Sequence, residues 1–203
     1  MNSPAAKREY RQTARAEAAQ ATADRIIDAF AARMRESWFD EIRLEDVARD
    51  AEVSVPTVVR RFGGKDGLLE AAYARMGREV MARRRVEPGD VDACIRVVAE
   101  DYEETGDLVM RSLAQEDRHT PIRTMTNIGR RSHRNWVAAV FSPWLDPLDR
   151  AEAERRLDEL VIATDVYVWK LVRRDMGRSV ATLRQTMARL IASALNGLPG
   201  APS

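Results

Sequence analysis

The sequence predicts an all-α protein in two unequal parts: a small N-terminal unit of three helices, two of them short, and a larger C-terminal bundle of long helices. Three observations carry this. Strict alternation of apolar and polar residues over four or more positions is almost absent, whereas apolar spacings of three and four recur along the chain. The periodic segments are mostly short before Pro88–Gly89 and mostly long after it. The 203 residues, 45% hydrophobic and 32% charged, have the makeup of a globular chain that buries a core, not of a disordered or fibrous one.

The first helix is expected over Thr22 to Ser37, with Ile26, Ile27, Phe30 and Met34 on one face and Asp24, Arg25, Asp28 and Arg35 off it. Residues 1–20 before it, rich in Ala, Arg and Glu, form either a flexible arm or a helical extension, made mildly basic by Lys7, Arg8, Arg11 and Arg15. Two short helices follow, Leu44–Ala51 and Val55–Phe62, around a turn at Glu52–Ser54 and closed by Gly63–Gly64. Ser54 is an N-cap candidate because its hydroxyl can accept from a free N–H of the first turn, and Pro56 is tolerated there because early helical N–H groups lack partners. A longer helix runs from Asp66 to about Arg85, with Leu69, Ala72, Tyr73 and Met76 on its apolar face.

Beyond Pro88, Val91, Cys94, Ile95, Val98 and Tyr102 mark one helix, and Leu108, Val109 and Leu113 suggest a shorter successor. Pro121 opens a helix with Ile122, Met125, Gly129, Trp136, Val137, Val140 and Phe141 on one stripe, ending near Pro143. The stretch 147–174 carries two apolar stripes, Leu157, Leu160, Val161, Thr164, Val168 and Leu171 on one and Ile162, Val166 and Trp169 on the other. A helix apolar on two sides needs two partners. The last helix, about Arg178 to Leu195, repeats the pattern with Val180, Leu183, Met187, Leu190, Ile191 and Ala194. The expected organisation is an arm over 1–20, a first domain over 21–67 and a second over 68–203.

Composition narrows the chemistry. Cys94 is the single cysteine, so no intrachain disulfide forms, and with His119 and His133 as the only histidines a thiolate or imidazole metal cluster cannot be assembled. No metal or cofactor is expected. There is no apolar run of about 18 residues and no signal-peptide pattern at the N-terminus, which points to a soluble, cytoplasmic protein with no membrane partner. Nucleophile elbows, phosphate-cradling glycine loops and paired loop carboxylates are missing, so catalysis is not expected. Glu100, Asp101, Glu103 and Glu104 read as a charged helix face.

The net charge of +1 hides an ordered asymmetry. Residues 1–85 hold 17 basic against 14 acidic side chains, and residues 86–203 hold 16 against 18. Within the first part, residues 53–65 contain Arg60, Arg61 and Lys65 and no acid. That run lies in IRLEDVARDAEVSVPTVVRRFGGKDGLL, residues 42–69, which fits a helix-turn-helix. Val47, Ala48 and Ala51 of the first helix face Val58 and Phe62 of the second. Val55, Pro56, Thr57, Arg60 and Arg61 are left facing away from the core. Such a helix can enter a DNA major groove with its N-terminal residues at base edges, while Lys65, Arg61 and the hydroxyls of Ser54 and Thr57 reach backbone phosphates.

The ordered set Val47-Ala48, Ala51, Val53-Ser54, Thr57, Phe62, Lys65 and Leu68-Leu69, after a helix of suitable length, resembles the TetR-type family of bacterial helix-turn-helix transcriptional regulators. The resemblance implies an N-terminal three-helix DNA-binding domain and a larger C-terminal helical bundle that binds a small effector and dimerises through its last two long helices. Its DNA-contact positions fall on Arg43, Ser54, Val55, Pro56, Thr57, Val59, Arg60, Arg61 and Lys65. Three positions depart from the family pattern: Glu52 replaces the turn glycine, Val59 a phosphate-binding tyrosine, and Arg43 a threonine N-cap. A non-glycine residue kept left-handed at Glu52 costs roughly 1 to 2 kcal/mol.

For the effector pocket the aromatic and methionine positions Tyr102, Met110, Met125, Trp136 and Tyr167 are candidates, because pockets are mostly apolar with a few polar groups; plain core packing is the alternative for each. Asn127, His133 and Thr164 either orient a ligand or are satisfied by their neighbours. Cys94 reads as a small hydrophobe. The candidate dimer face is Ile162, Val166, Trp169, Leu183, Met187, Leu190 and Ile191. The expected function is a homodimeric regulator, a repressor released from double-stranded, near-palindromic DNA by a small-molecule effector. The rival reading is a ligand-binding helical dimer with a degenerate reading head, acting as an effector sink or partner protein.

Overall fold

A computed structural model describes the backbone of residues 4–198 and the side chains of residues 12–198. The described residues are helical and contain no strand. The helices are α1 (Pro4–Glu36), α2 (Leu44–Asp50), α3 (Val55–Phe62), α4 (Lys65–Arg83), α5 (Val91–Leu113), α6 (Thr120–Val140), α7 (Ser142–Leu145), α8 (Arg150–Ala163), α9 (Val166–Lys170) and α10 (Val180–Leu195). A 3-10 turn, Phe39–Glu41, follows α1, and a π-helical turn, Leu171–Asp175, continues α9. The chain divides into two compact units, Met1–Arg75 and Met76–Ser203.

In the first unit the stripe of α1 predicted from spacing is the core: Ile26, Ile27, Phe30 and Met34 are buried with Phe39, Ile42, Val47, Ala48, Ala51, Val58, Leu68 and Leu69. Burying the Val, Leu, Ile, Phe and Met side chains among them contributes on the order of 1.5–3 kcal/mol each. Arg33 pairs with Asp50, its Nε at 2.8 Å from Oδ2, and so ties α1 to the C-terminal end of α2. The backbone of α1 begins at Pro4, so the segment before Thr22 is a helical extension. The side chains of Lys7, Arg8 and Arg11 lie outside the described residues, and Arg15 is exposed.

In the second unit α5 is one uninterrupted helix, not the two that the spacing suggested. Its buried face runs Cys94, Ile95, Val98, Ala99, Asp101, Tyr102, Thr105 and Gly106. The ring of Trp169 on α9 lies on Gly106, where a Cβ would meet ring carbons at 2.5–2.8 Å. Trp169 Nε1 donates to Glu103 at 2.7 Å, and Arg173 forks onto the same carboxylate at 2.8 and 2.7 Å.

The stretch 147–174 is broken, contrary to the single double-striped helix expected. The α8 helix ends at Ala163, where Thr164 turns its hydroxyl back to the Leu160 carbonyl (2.8 Å), and Asp165 starts α9 by accepting from the Tyr167 N–H (2.9 Å). An aspartate N-cap is a strong start signal. Each stripe is therefore divided between α8 and α9, which removes the premise that both sides of one helix need partners.

Candidate nucleic-acid interface

The interface is built on α2 and α3. In α2, Val47 and Ala48 turn inward, and Arg43 stands at the N-cap position without a side-chain capping bond, its guanidinium exposed. The Ala51 and Glu52 N–H groups bond back to Val47 and Arg49 carbonyls at 3.0 and 3.1 Å. Glu52 takes φ of 56° and is exposed. It is the one non-glycine residue in the left-handed region among those described, so the left-handed conformation is kept there without a glycine.

Ser54 occupies the N-cap position of α3 with extended φ and ψ, but its hydroxyl pairs with Thr57 Oγ1 at 2.9 Å and makes no capping bond. This corrects the expected capping role. The Thr57 and Val58 N–H groups go instead to the Ser54 carbonyl, at 2.9 and 3.3 Å, and Pro56 has no N–H to offer. Gly63 closes the helix at φ 76°, its N–H donating to the Val59 carbonyl at 2.8 Å.

Val58 is fully buried and Phe62 half-buried, which fixes the rotation of α3. At 100° per residue the opposite side carries Pro56, Thr57 and Arg60, flanked by Val59 and Arg61. Pro56, Val59, Arg60 and Arg61 are exposed, and Val55 and Thr57 half-buried. The face is divided lengthwise, with apolar Val55, Pro56 and Val59 on one side and Thr57, Arg60 and Arg61 on the other. Among the described residues, ion pairs of this unit join Arg33, Arg49 and Arg75 to Asp46, Asp50 and Asp28, and none of them involves Arg43, Arg60 or Arg61.

Lys65 differs from these arginines. It opens α4, its ammonium lies 4.3 Å from the centroid of the Phe39 ring and donates to the Asp40 carbonyl at 3.4 Å. Burial holds its pKa below the ordinary lysine value. It braces the turn after α1 as well as standing near the end of α3. Sequence reasoning missed Gly67, where a Cβ would sit 1.9 Å from the Phe62 carbonyl oxygen. No apolar spacing marks such a contact; only the fold-back of α4 on α3 reveals it.

The remaining predicted positions lie in the second unit. Tyr102 and Trp136 are buried; Met110 and Met125 are half-buried; Tyr167 is exposed. The Tyr102 hydroxyl donates to the Thr164 carbonyl (3.2 Å) and Trp136 Nε1 to the Arg84 carbonyl (2.7 Å), so both rings are held as core members. His133 and Thr164 bond to one another, Nε2 to Oγ1 at 3.1 Å, and are satisfied by neighbours, while Asn127 is exposed and accepts from Arg130. Cys94 is fully buried, and burial pushes its thiol up to about 12, which removes it from thiol chemistry.

The expected dimer face needs correction. Val166, Trp169, Leu183, Met187 and Ile191 are buried in the protomer's own core and have no surface to offer a second chain. Ile162 and Leu190 are exposed, at 64% and 41%. Asp101 is also corrected: it is not part of the charged face of α5 but buried, paired with Arg84 of the turn after α4. Its spacing of seven and three from Cys94 and Val98 is a signal that the charged-face reading passed over, and nothing in the run Arg83–Arg85 marked Arg84 as its partner.

Comparison with known proteins agrees with this geometry. Residues 26–72 match the family model of the bacterial regulatory proteins of the tetR family. No curated protein sequence matches the chain. Among solved structures, a transcriptional regulator from Rhodococcus sp. Rha1 superposes with a TM-score of 0.70 at 19% identity, covering 89% of this chain and 99% of that one. A tetR-family transcriptional regulator from Streptomyces coelicolor gives 0.66 at 20% identity over 85% and 79%. The multidrug binding protein EbrR complexed with imidazole gives 0.57 at 21% over 83% and 88%. Residues 26–72 thus resemble the bacterial regulatory proteins of the tetR family, and the chain as a whole shares its fold with solved transcriptional regulators, one of them of that family.

Proposed function

We propose that the protein is a homodimeric, DNA-binding transcriptional regulator that acts as a repressor. The observation that carries the reading is the rotation of α3: Val58 is locked in the core while Pro56, Val59, Arg60 and Arg61 stand exposed, as does Arg43 at the start of α2. In this reading α3 enters the major groove, Arg43 and Arg61 hold phosphates, and Arg60 reaches base edges. Two copies related by a two-fold axis would place their reading helices in successive major grooves, roughly 34–36 Å apart, on a near-palindromic operator. Ile162 and Leu190, exposed apolar side chains on α8 and α10, support a dimer face narrower than the sequence stripes suggested.

Release by a small molecule belongs to the same proposal. One solved relative in fold is a multidrug binding protein complexed with imidazole, which supports a ligand site in the helical bundle. An effector can release DNA only by binding the free conformation better than the DNA-bound one. The α4 helix, one element running from the first unit into the second, is the element to carry that difference.

The deciding experiment is binding of the purified protein to DNA flanking its own gene, beside a random fragment, over a series of salt concentrations. The regulator reading expects a specific complex at physiological salt with roughly a thousandfold preference or more. Weak, salt-erased and sequence-indifferent binding would favour the effector sink with a degenerate reading head.

A further inference from the structure

We propose that the apolar half of the α3 reading face recognises thymine through its 5-methyl group, with Val59 and Pro56 as the specificity-determining residues. The inference rests on the DNA-binding reading above and names what that face reads. Val59 is 43% exposed on a helix whose inward side is already filled by Val58, and exposed Pro56 is its neighbour one turn toward the N-terminus. With half-buried Val55 they form a strip that has no side-chain donor or acceptor.

Such a strip sits poorly against most of a major groove. Guanine, adenine and cytosine present acceptors and donors there, and covering one with a valine or proline leaves it unpaired. Thymine alone adds a methyl group, which an aliphatic side chain covers with gain. The polar alternatives nearby are reduced. The Ser54 and Thr57 hydroxyls pair with each other at 2.9 Å, and the Thr57 and Val58 N–H groups are taken by the Ser54 carbonyl. Pro56 removes one more N–H from the end of the helix that faces the bases. The charge that holds the strip in the groove comes from its other side and its neighbour helix, Arg60, Arg61 and Arg43, all exposed. Apolar strip and cationic flank together fit a duplex groove and not an apolar protein partner.

The test uses the full-length protein and duplexes enriched by it from a random pool. The enriched half-site is then synthesised with deoxyuridine replacing one thymidine at a time, which deletes only the methyl group. Expected is a half-site with a thymine on the α3 track and a loss of about fourfold in affinity at one or two positions, the factor for returning one methyl-sized apolar group to water. Val59→Ala and Pro56→Ala, both at exposed positions, should each erase the thymine–uracil difference at one position while leaving the difference at the other. If the pool enriches and every uracil duplex binds like its thymine parent, the methyl inference is overturned and the regulator reading stands. Uracil sensitivity that persists at every position in both variants overturns it equally, because other residues then read the methyl. Failure of the pool to enrich any sequence would overturn the DNA-binding reading and this inference with it.

Discussion

Arg84 and Asp101 form an ion pair inside the second unit, with Arg84 Nε and Nη2 at 2.9 and 2.6 Å from Asp101 Oδ2 and side chains 6% and 1% exposed. The guanidinium also lies 5.0 and 5.3 Å from the centroids of the Tyr102 and Trp136 rings. Its Nη1 is 3.1 Å from His133 Nδ1. Because a guanidinium cannot accept, Nδ1 must, and neutral His133 therefore carries its proton on Nε2, which donates to Thr164 Oγ1. A single chain of polar groups thus joins the turn after α4 to α5, α6 and the end of α8.

Removing one partner of a buried pair strands the other charge. Asp101→Asn should lower the unfolding free energy by about 3–5 kcal/mol, whereas replacing both residues with apolar ones of similar volume should recover most of it. Urea denaturation of the two variants beside wild type checks this. A double variant as unstable as the single one would show that the pair does more than satisfy its own charges.

Burial, with Arg84 beside it, pulls the His133 pKa down to about 3 from the ordinary 6.5. The folded state refuses a proton that the unfolded chain takes. This contribution to stability is therefore intact above pH 6.5 and is lost as pH falls toward 3, by at most about 1.4 kcal/mol per pH unit. Between about pH 6.5 and 5, before most carboxylates titrate, His133→Gln should flatten the decline in melting temperature relative to wild type.

Gly106 and Gly129 make opposite predictions for the same substitution. At Gly106 an added Cβ meets the Trp169 ring at 2.5 Å, and Gly106→Ala should cost about 1–3 kcal/mol through overpacking. Gly129 on α6 is exposed with nothing within 4 Å of an added Cβ, so Gly129→Ala should stabilise by up to about 1 kcal/mol through helix propensity. Thermal unfolding of both variants reads the two signs.

Glu52 holds a left-handed backbone that glycine adopts freely. Because its side chain is exposed, Glu52→Gly should stabilise the first unit by about 1 kcal/mol, and β-branched Glu52→Val should destabilise it. Equal melting temperatures for all three proteins would mean that the turn relaxes out of the left-handed region.

A dimer would rest on different residues than the stripes implied. Ile162→Glu and Leu190→Glu change exposed positions and should leave the circular dichroism spectrum intact while shifting sedimentation from dimer to monomer. Trp169→Glu would instead disrupt the protomer, since the ring is fully buried on Gly106. Monomers already present in wild type would remove the dimer from the proposal.

The sequence by itself determined what is local. The stripe of α1 with Ile26, Ile27, Phe30 and Met34, the bounds of α3 between Ser54 and Gly63, and the opening of α6 by Pro121 all follow from spacing and end signals, and the structure keeps them. Such features depend on residues within a turn or two of each other. What the tertiary structure decided is what covers each face. Periodicity placed Trp169 and Ile162 on one stripe, yet the break at Thr164 sends Trp169 into the core against Gly106 and leaves Ile162 outside. Asp101, read as part of a charged face, is likewise buried on α5 because of Arg84, which lies 17 residues away in sequence. A period fixes the direction in which a side chain points along its own helix; the partner that it meets comes from another part of the chain, and only the packed fold brings the two together.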